Sequence, residues 1–178
     1  MLFATLLLSS APAHAAERFE IRGAYVERAG GVYTLNAKLN FQLPEGAQQA
    51  VQDGARMTLD LEIVVHRARS LWFNETIAAL EQHYELVYHA LSERYLVRNL
   101  NSGEQTSFPN LGAAADYLGQ IHGLPVLDET FILPQERYEI SLRAHLDVRT
   151  MPKALRTVLF WVDDWRQSSD WYTWPLKS

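Results

Sequence analysis

Strict alternation dominates this chain. In Tyr33, Leu35, Ala37, Leu39, Phe41 and Leu43 every second residue is apolar or aromatic, while Thr34, Asn36, Lys38, Asn40 and Gln42 fill the gaps. A strand sends successive side chains to opposite faces, so this segment has one face for a core and one for water. Met57, Leu59, Leu61, Ile63 and Val65 repeat the pattern against Thr58, Asp60 and Glu62. Tyr138, Ile140, Leu142, Ala144, Leu146 and Val148 do so again against Glu139, Ser141, Arg143, His145, Asp147 and Arg149. A helical period cannot produce such rows. They predict three half-buried strands.

Weaker strand signals surround them. Residues 19–28 lead through Gly30-Gly31 into the Tyr33 strand, a hairpin signal because glycine accepts the positive φ of such turns. Segments 84–91 and 95–100 are separated by Ser92-Glu93-Arg94, and Asn101-Ser102-Gly103 supplies the next turn. Residues 126–133, between Pro125 and Pro134, are expected to form an edge strand. Helical stretches are short. Pro44 opens one over 44–53 that stops at Gly54, and Asn110 caps another over 111–121 that stops at Gly123. A third spans 152–162, where Leu155, Val158, Leu159 and Val162 share a face, and residues 72–81 read as a short helix. Antiparallel hairpins with one wet face per strand predict a mainly β fold, a two-sheet antiparallel β-sandwich with helices in the connections. An α+β sheet covered by helices is the alternative.

The first fifteen residues have the features of a secretion signal. Residues 2–8 form an apolar run, and Ala13-His14-Ala15 offers a small-x-small cleavage site. The run is far shorter than the roughly 20 apolar residues of a membrane-spanning helix. No Lys or Arg precedes it, which points to a true start upstream of Met1. The expectation is therefore an exported, periplasmic protein cleaved after Ala15, with residues 16–178 forming a single domain. The net charge of −5 falls wholly outside this leader and argues against nucleic acid, which requires a clustered basic surface. The absence of cysteine removes disulfides, thiolate nucleophiles and Cys-ligated metals. An exported domain without disulfides fits a bacterial periplasm.

Several stretches resemble a known family. These are Val32-Tyr33-Thr34-Leu35-Asn36-Ala37, Tyr84-x-Leu86-x-Tyr88-His89-Ala90-Leu91, and Asn99-Leu100-x-x-Gly103-Glu104-x-x-Ser107-Phe108-Pro109. The ending adds Asp164-Trp165-Arg166 and Ser169-x-Trp171-Tyr172-x-Trp174-Pro175-Leu176. Together they are similar to the DUF4390 family of proteobacterial exported proteins. The resemblance implies an envelope location. Because members are often encoded near a sensor histidine kinase of the nitrogen-regulation type, it also hints at envelope signalling. It implies no activity and brings no functional residues.

Three constellations could carry chemistry. His83, Glu85 and His89 share a strand face, with His66 and His145 on the wet faces of theirs. Imidazoles and carboxylates can bind zinc or copper, but six residues of strand separate His83 from His89 by roughly 20 Å. A metal would need partners from other strands. Asp60 and Glu62 lie about 7 Å apart on one face, a spacing of the glycosidase kind that any Asp-x-Glu strand shares. Asp163-Asp164 would hold a cation only with further oxygen ligands. No nucleophile elbow, phosphate loop or zinc-helix motif is present. The expectation is a non-enzymatic domain without a cofactor.

The third constellation is the aromatic C-terminal segment. Trp161, Trp165, Trp171 and Trp174 are four of the five tryptophans, with Tyr172 among them. Such side chains anchor protein interfaces and offer stacking platforms to sugars, or close a core. The 152–162 helix, with Lys153 and Arg156, would give at most weak contact with a membrane surface. The residues expected to meet a partner are Trp165, Arg166, Trp171, Tyr172 and Trp174. An envelope protein is the expected partner, a glycan the alternative, and a metal-dependent enzyme built on the histidines the second alternative.

Overall fold

The computed structural model describes residues 19–40, 43, 45–69, 74–150 and 166–176. Its two antiparallel sheets share one hydrophobic core. The smaller sheet contains β1 (Glu20–Ala29), β2 (Val32–Asn40) and β7 (Gln120–Asp128) in the order β1-β2-β7. The larger holds β3 (Arg56–Ala68), β4 (Glu75–His89), β5 (Arg94–Asn99), β6 (Gln105–Phe108), β8 (Arg137–Thr150), β9 (Gln167–Ser168) and β10 (Tyr172–Leu176). Its order is β10-β8-β3-β4-β5-β6, with β9 also paired to β8. The fold is the mainly β, two-sheet arrangement that the alternation predicts, with short helices in the connections.

The rows read from sequence line the core as expected. Leu35 of β2, Leu61, Ile63 and Val65 of β3, and Ile140, Leu142 and Ala144 of β8 are completely buried. Their polar neighbours Asp60, Glu62, Arg143 and His145 lie on the other face of the larger sheet. The β1–β2 hairpin turns through Gly30 and Gly31, both at positive φ (60° and 83°), the conformation a two-residue turn between twisted strands requires. Asn99 Oδ1 accepts the N–H groups of Asn101 and Ser102 at 2.9 and 3.1 Å, which closes the turn into β6.

Helix α1 (Glu45–Gln52) buries Ala47, Ala50 and Val51, and the chain leaves it at Gly54 with φ 91°. Helix α2 (Leu111–Leu118) begins where Asn110 Oδ1 accepts the Ala113 N–H at 2.8 Å. It ends at Gly119 rather than Gly123, because Gln120 and Ile121 already pair with Lys38 and Ala37 of β2. The edge strand expected over 126–133 accordingly begins earlier, at Gln120, and carries Pro125 inside it. It stops where Asp128 caps a single 3₁₀ turn, Glu129–Phe131.

The described part of 72–81 is strand, not helix: residues 75–81 open β4. A register shift between Val65 and His66, opposite this stretch, brings the adjacent residues Ile77 and Ala78 both against the core. That breaks the period of two locally. Ala78, Ala79, Leu80, Glu81 and Gln82 are also good helix formers. Pairing along the length of β3 overrides that propensity. The helix expected over 152–162, like Asp163, Asp164 and the leader, lies outside the described residues. Among the described residues no helix is long and apolar enough to cross a membrane.

Candidate functional site: the outer face of the larger sheet

Register brings residues from four strands into polar rows across the water-facing side of the larger sheet. Arg143 of β8 stands opposite Glu62 of β3, which stands opposite Glu81 of β4. In the next row Ser168 of β9, His145, Asp60 and His83 succeed one another. Strand alternation alone puts these groups on one face, and antiparallel pairing brings neighbours to within about 5 Å at the Cβ atoms.

The rows are linked by hydrogen bonds and ion pairs. Arg143 Nη2 donates to Glu62 Oε2 at 2.7 Å, and His145 Nε2 lies 2.9 Å from Glu62 Oε1. The other ring nitrogen of His145 is 2.7 Å from Ser168 Oγ. His83 Nδ1 is 2.6 Å from Asp60 Oδ1, and its Nε2 is 3.6 Å from Glu81. Arg166 reaches Asp147 at 3.5 Å. Partial burial pushes the Glu62 carboxyl pKa upward. The Arg143 hydrogen bond and charge, with the neighbouring His145, outweigh this and hold it below its usual value. Between the rows lies a shallow hollow of about 510 Å³.

A hydroxyl, an imidazole and a carboxylate in line also compose an acyl-transfer relay. Here Ser168 faces His145 as its in-register partner, and Glu62 is shared with Arg143. The contacts link β9, β8 and β3 across the sheet face. Among the described residues no group of three or more His, Asp or Glu is arranged to hold a metal ion.

The C-terminal aromatics divide between the two faces. Tyr172 and Trp174 alternate inward opposite Leu142 and Ile140, with their rings 5.6 Å apart and packed against the core. Trp171 points the other way. The residue is 43 % exposed, and the Arg143 guanidinium lies over its ring at 4.4 Å. Arg166 is exposed further along the same edge, at the rim of the hollow. Of the four described residues expected to meet a partner, Trp171 and Arg166 share the outer face. Trp165 lies outside the described residues.

The histidines divide as well. His89 bonds Ser92 in its own hairpin turn at 2.8 Å, and His66 faces Thr76 at 3.3 Å. Only His83 and His145 enter the rows. Sequence reasoning assigned Asp60, Glu62, Arg143, His145 and Asp147 to wet faces but left Arg143, Asp147 and Ser168 out of any site. Their assembly depends on which strands neighbour which, and the only local signal was the alternation itself.

The family model DUF4390, a domain of unknown function, matches residues 16–175. No curated protein and no solved structure matches the chain. Across nearly its whole length the chain therefore belongs to the DUF4390 family.

Proposed function

We propose that this protein is an exported envelope domain that docks onto another envelope protein, without catalysis and without a cofactor. The outer face of the larger sheet around Trp171 is the docking surface, and Arg166 is its polar companion. The observation that carries this reading is the fixed exposure of Trp171. Trp171 directly precedes β10, and the Arg143 guanidinium that lies over its ring also donates to Glu62. A tryptophan that is exposed yet already ordered gives up little side-chain entropy on binding. Trp and Arg are the residues that most often dominate interface energies. A role in envelope signalling is the pathway this reading favours.

The test is a crosslinking pull-down from the envelope of the host. It compares wild type with Trp171→Ala, both first shown to be folded by their circular dichroism. Trp174 is left intact because its ring packs on the core, and truncating it would confound binding with stability. The wild type is expected to retain a specific protein that the folded variant loses. Equal capture by both would end the Trp171 reading.

A further inference from the structure

A second hollow lies on the smaller sheet and includes neither Trp171 nor Arg166. It has a volume of about 480 Å³ and opens around Gly23, Tyr25, Asn36, Lys38, His122 and Tyr172. Its floor is bare backbone. Gly23 follows a register shift in β1 and pairs with Lys38 of β2, and no atom lies within 4 Å of where its side chain would begin. A glycine inside a strand commonly marks a place where something approaches the backbone closely. Beside this gap the Tyr25 ring is 56 % exposed.

Two cations, Lys38 and Arg22, and the Asn36 amide stand beside the gap. Asn36 Oδ1 is taken by the Gly123 N–H at 3.1 Å, which leaves the amide NH₂ to donate. Lys38 forms no ion pair among the described residues, and Arg22, at the edge of the hollow, meets only the exposed Glu20 at 3.6 Å. On a chain of net charge −5, two cations stand beside an exposed ring, with Asp116 in the adjoining hollow that Arg22 and Lys38 also line. The chemical complement is a carboxylate attached to a body flat enough to lie on Tyr25. An extended peptide fits less well. Peptides add along the free edge of a sheet, which here is the outer side of β1, whereas this hollow spreads across β1, β2 and β7.

We propose that this hollow binds a carboxylate-bearing sugar, with the ring over Tyr25 and Gly23 and the carboxylate held by Lys38 and Arg22. The aromatic platform of a glycan reader is then Tyr25. Among the described C-terminal aromatics Tyr172 alone reaches this hollow, and its ring packs against the core.

The experiment is an NMR titration of the folded domain with three probes. N-acetylmuramic acid carries both the ring and the carboxylate, N-acetylglucosamine lacks the carboxylate, and lactate lacks the ring. The expected result is saturable movement of the Gly23, Lys38 and Gly123 amides with the acidic sugar. Binding should be at least about five-fold weaker with either partial probe, and with Lys38→Gln, because a charge-assisted contact is lost. Gly23→Leu should fill the gap and abolish the shifts while leaving the thermal midpoint unchanged, since nothing obstructs the new side chain. Movement centred elsewhere, binding indifferent to both variants, no shift at tens of millimolar, or equal binding of either partial probe would overturn the proposal. Tighter binding of an acetylated dipeptide with a free carboxylate would also overturn it, in favour of a peptide.

Discussion

Ser169 serves one backbone site twice. Its N–H donates to the Ala144 carbonyl at 2.9 Å, and its hydroxyl accepts the Ala144 N–H at 3.0 Å, bridging the ladder between β9 and β10. The residue is buried, so water cannot replace the hydroxyl. Ser169→Ala should leave the Ala144 N–H unpaired and cost about 1–3 kcal/mol in urea unfolding. Glu62 makes a pH-dependent contribution. Because its folded pKa is lowered by Arg143 and His145, it stabilises the protein above its unfolded pKa. That stabilisation is lost as pH falls through the lower folded value. Wild type should therefore lose stability below about pH 4.5 more steeply than Glu62→Gln. The two unfolding free energies should converge at the acid end and separate, wild type higher, towards neutrality. Parallel curves would deny Glu62 this role.

Among the elements, the junction of α2 and β7 is the tightest. The Leu39 N–H donates to the Gly119 carbonyl at 2.8 Å, so helix end and strand lie nearly in contact. A methyl at Gly119 would stand 3.1 Å from the Leu39 carbonyl oxygen. Both groups belong to paired backbone, which cannot easily give way. Gly119→Ala should therefore cost about 1–2 kcal/mol, measurable by chemical denaturation, although alanine is ordinarily the better helix residue. This junction also shows where sequence reading failed. Asn110 announced the helix correctly through its capping side chain, but Gly123 was read as its end and the helix stops at Gly119. Only the pairing of Ile121 with Ala37 decides between them. In β2, β3 and β8 one face is uniformly apolar, and alternation was sufficient. At the start of β4 the register shift put Ile77 and Ala78 side by side against the core, and helix-forming residues filled the rest.

At the scale of the whole molecule the two outer faces differ in chemistry. The larger sheet presents Asp60, Glu62, Glu81 and Asp147 with two arginines, two imidazoles and an exposed tryptophan. The smaller presents Lys38, Arg22, His122 and Tyr25 around a gap. Alternation placed Lys38, Asp60, Glu62, Arg143, His145 and Asp147 on water-facing sides. Which of them become neighbours is a property of strand order, and nothing local in the chain records it. The aromatic tail illustrates the difference. Parity alone showed that Trp171 and Trp174 oppose each other, but only the docking of β10 on β8 assigns Trp174 to the core and Trp171 to the surface. The docking proposal is tested most directly by placing a photoreactive side chain at position 171 and, in a separate protein, at Leu91, which is fully exposed on the β4–β5 turn. Illumination in the host should yield a discrete adduct of one mass from position 171 and none of that mass from position 91. The same adduct from both positions, or none from position 171 in a folded and correctly localised protein, would contradict the account.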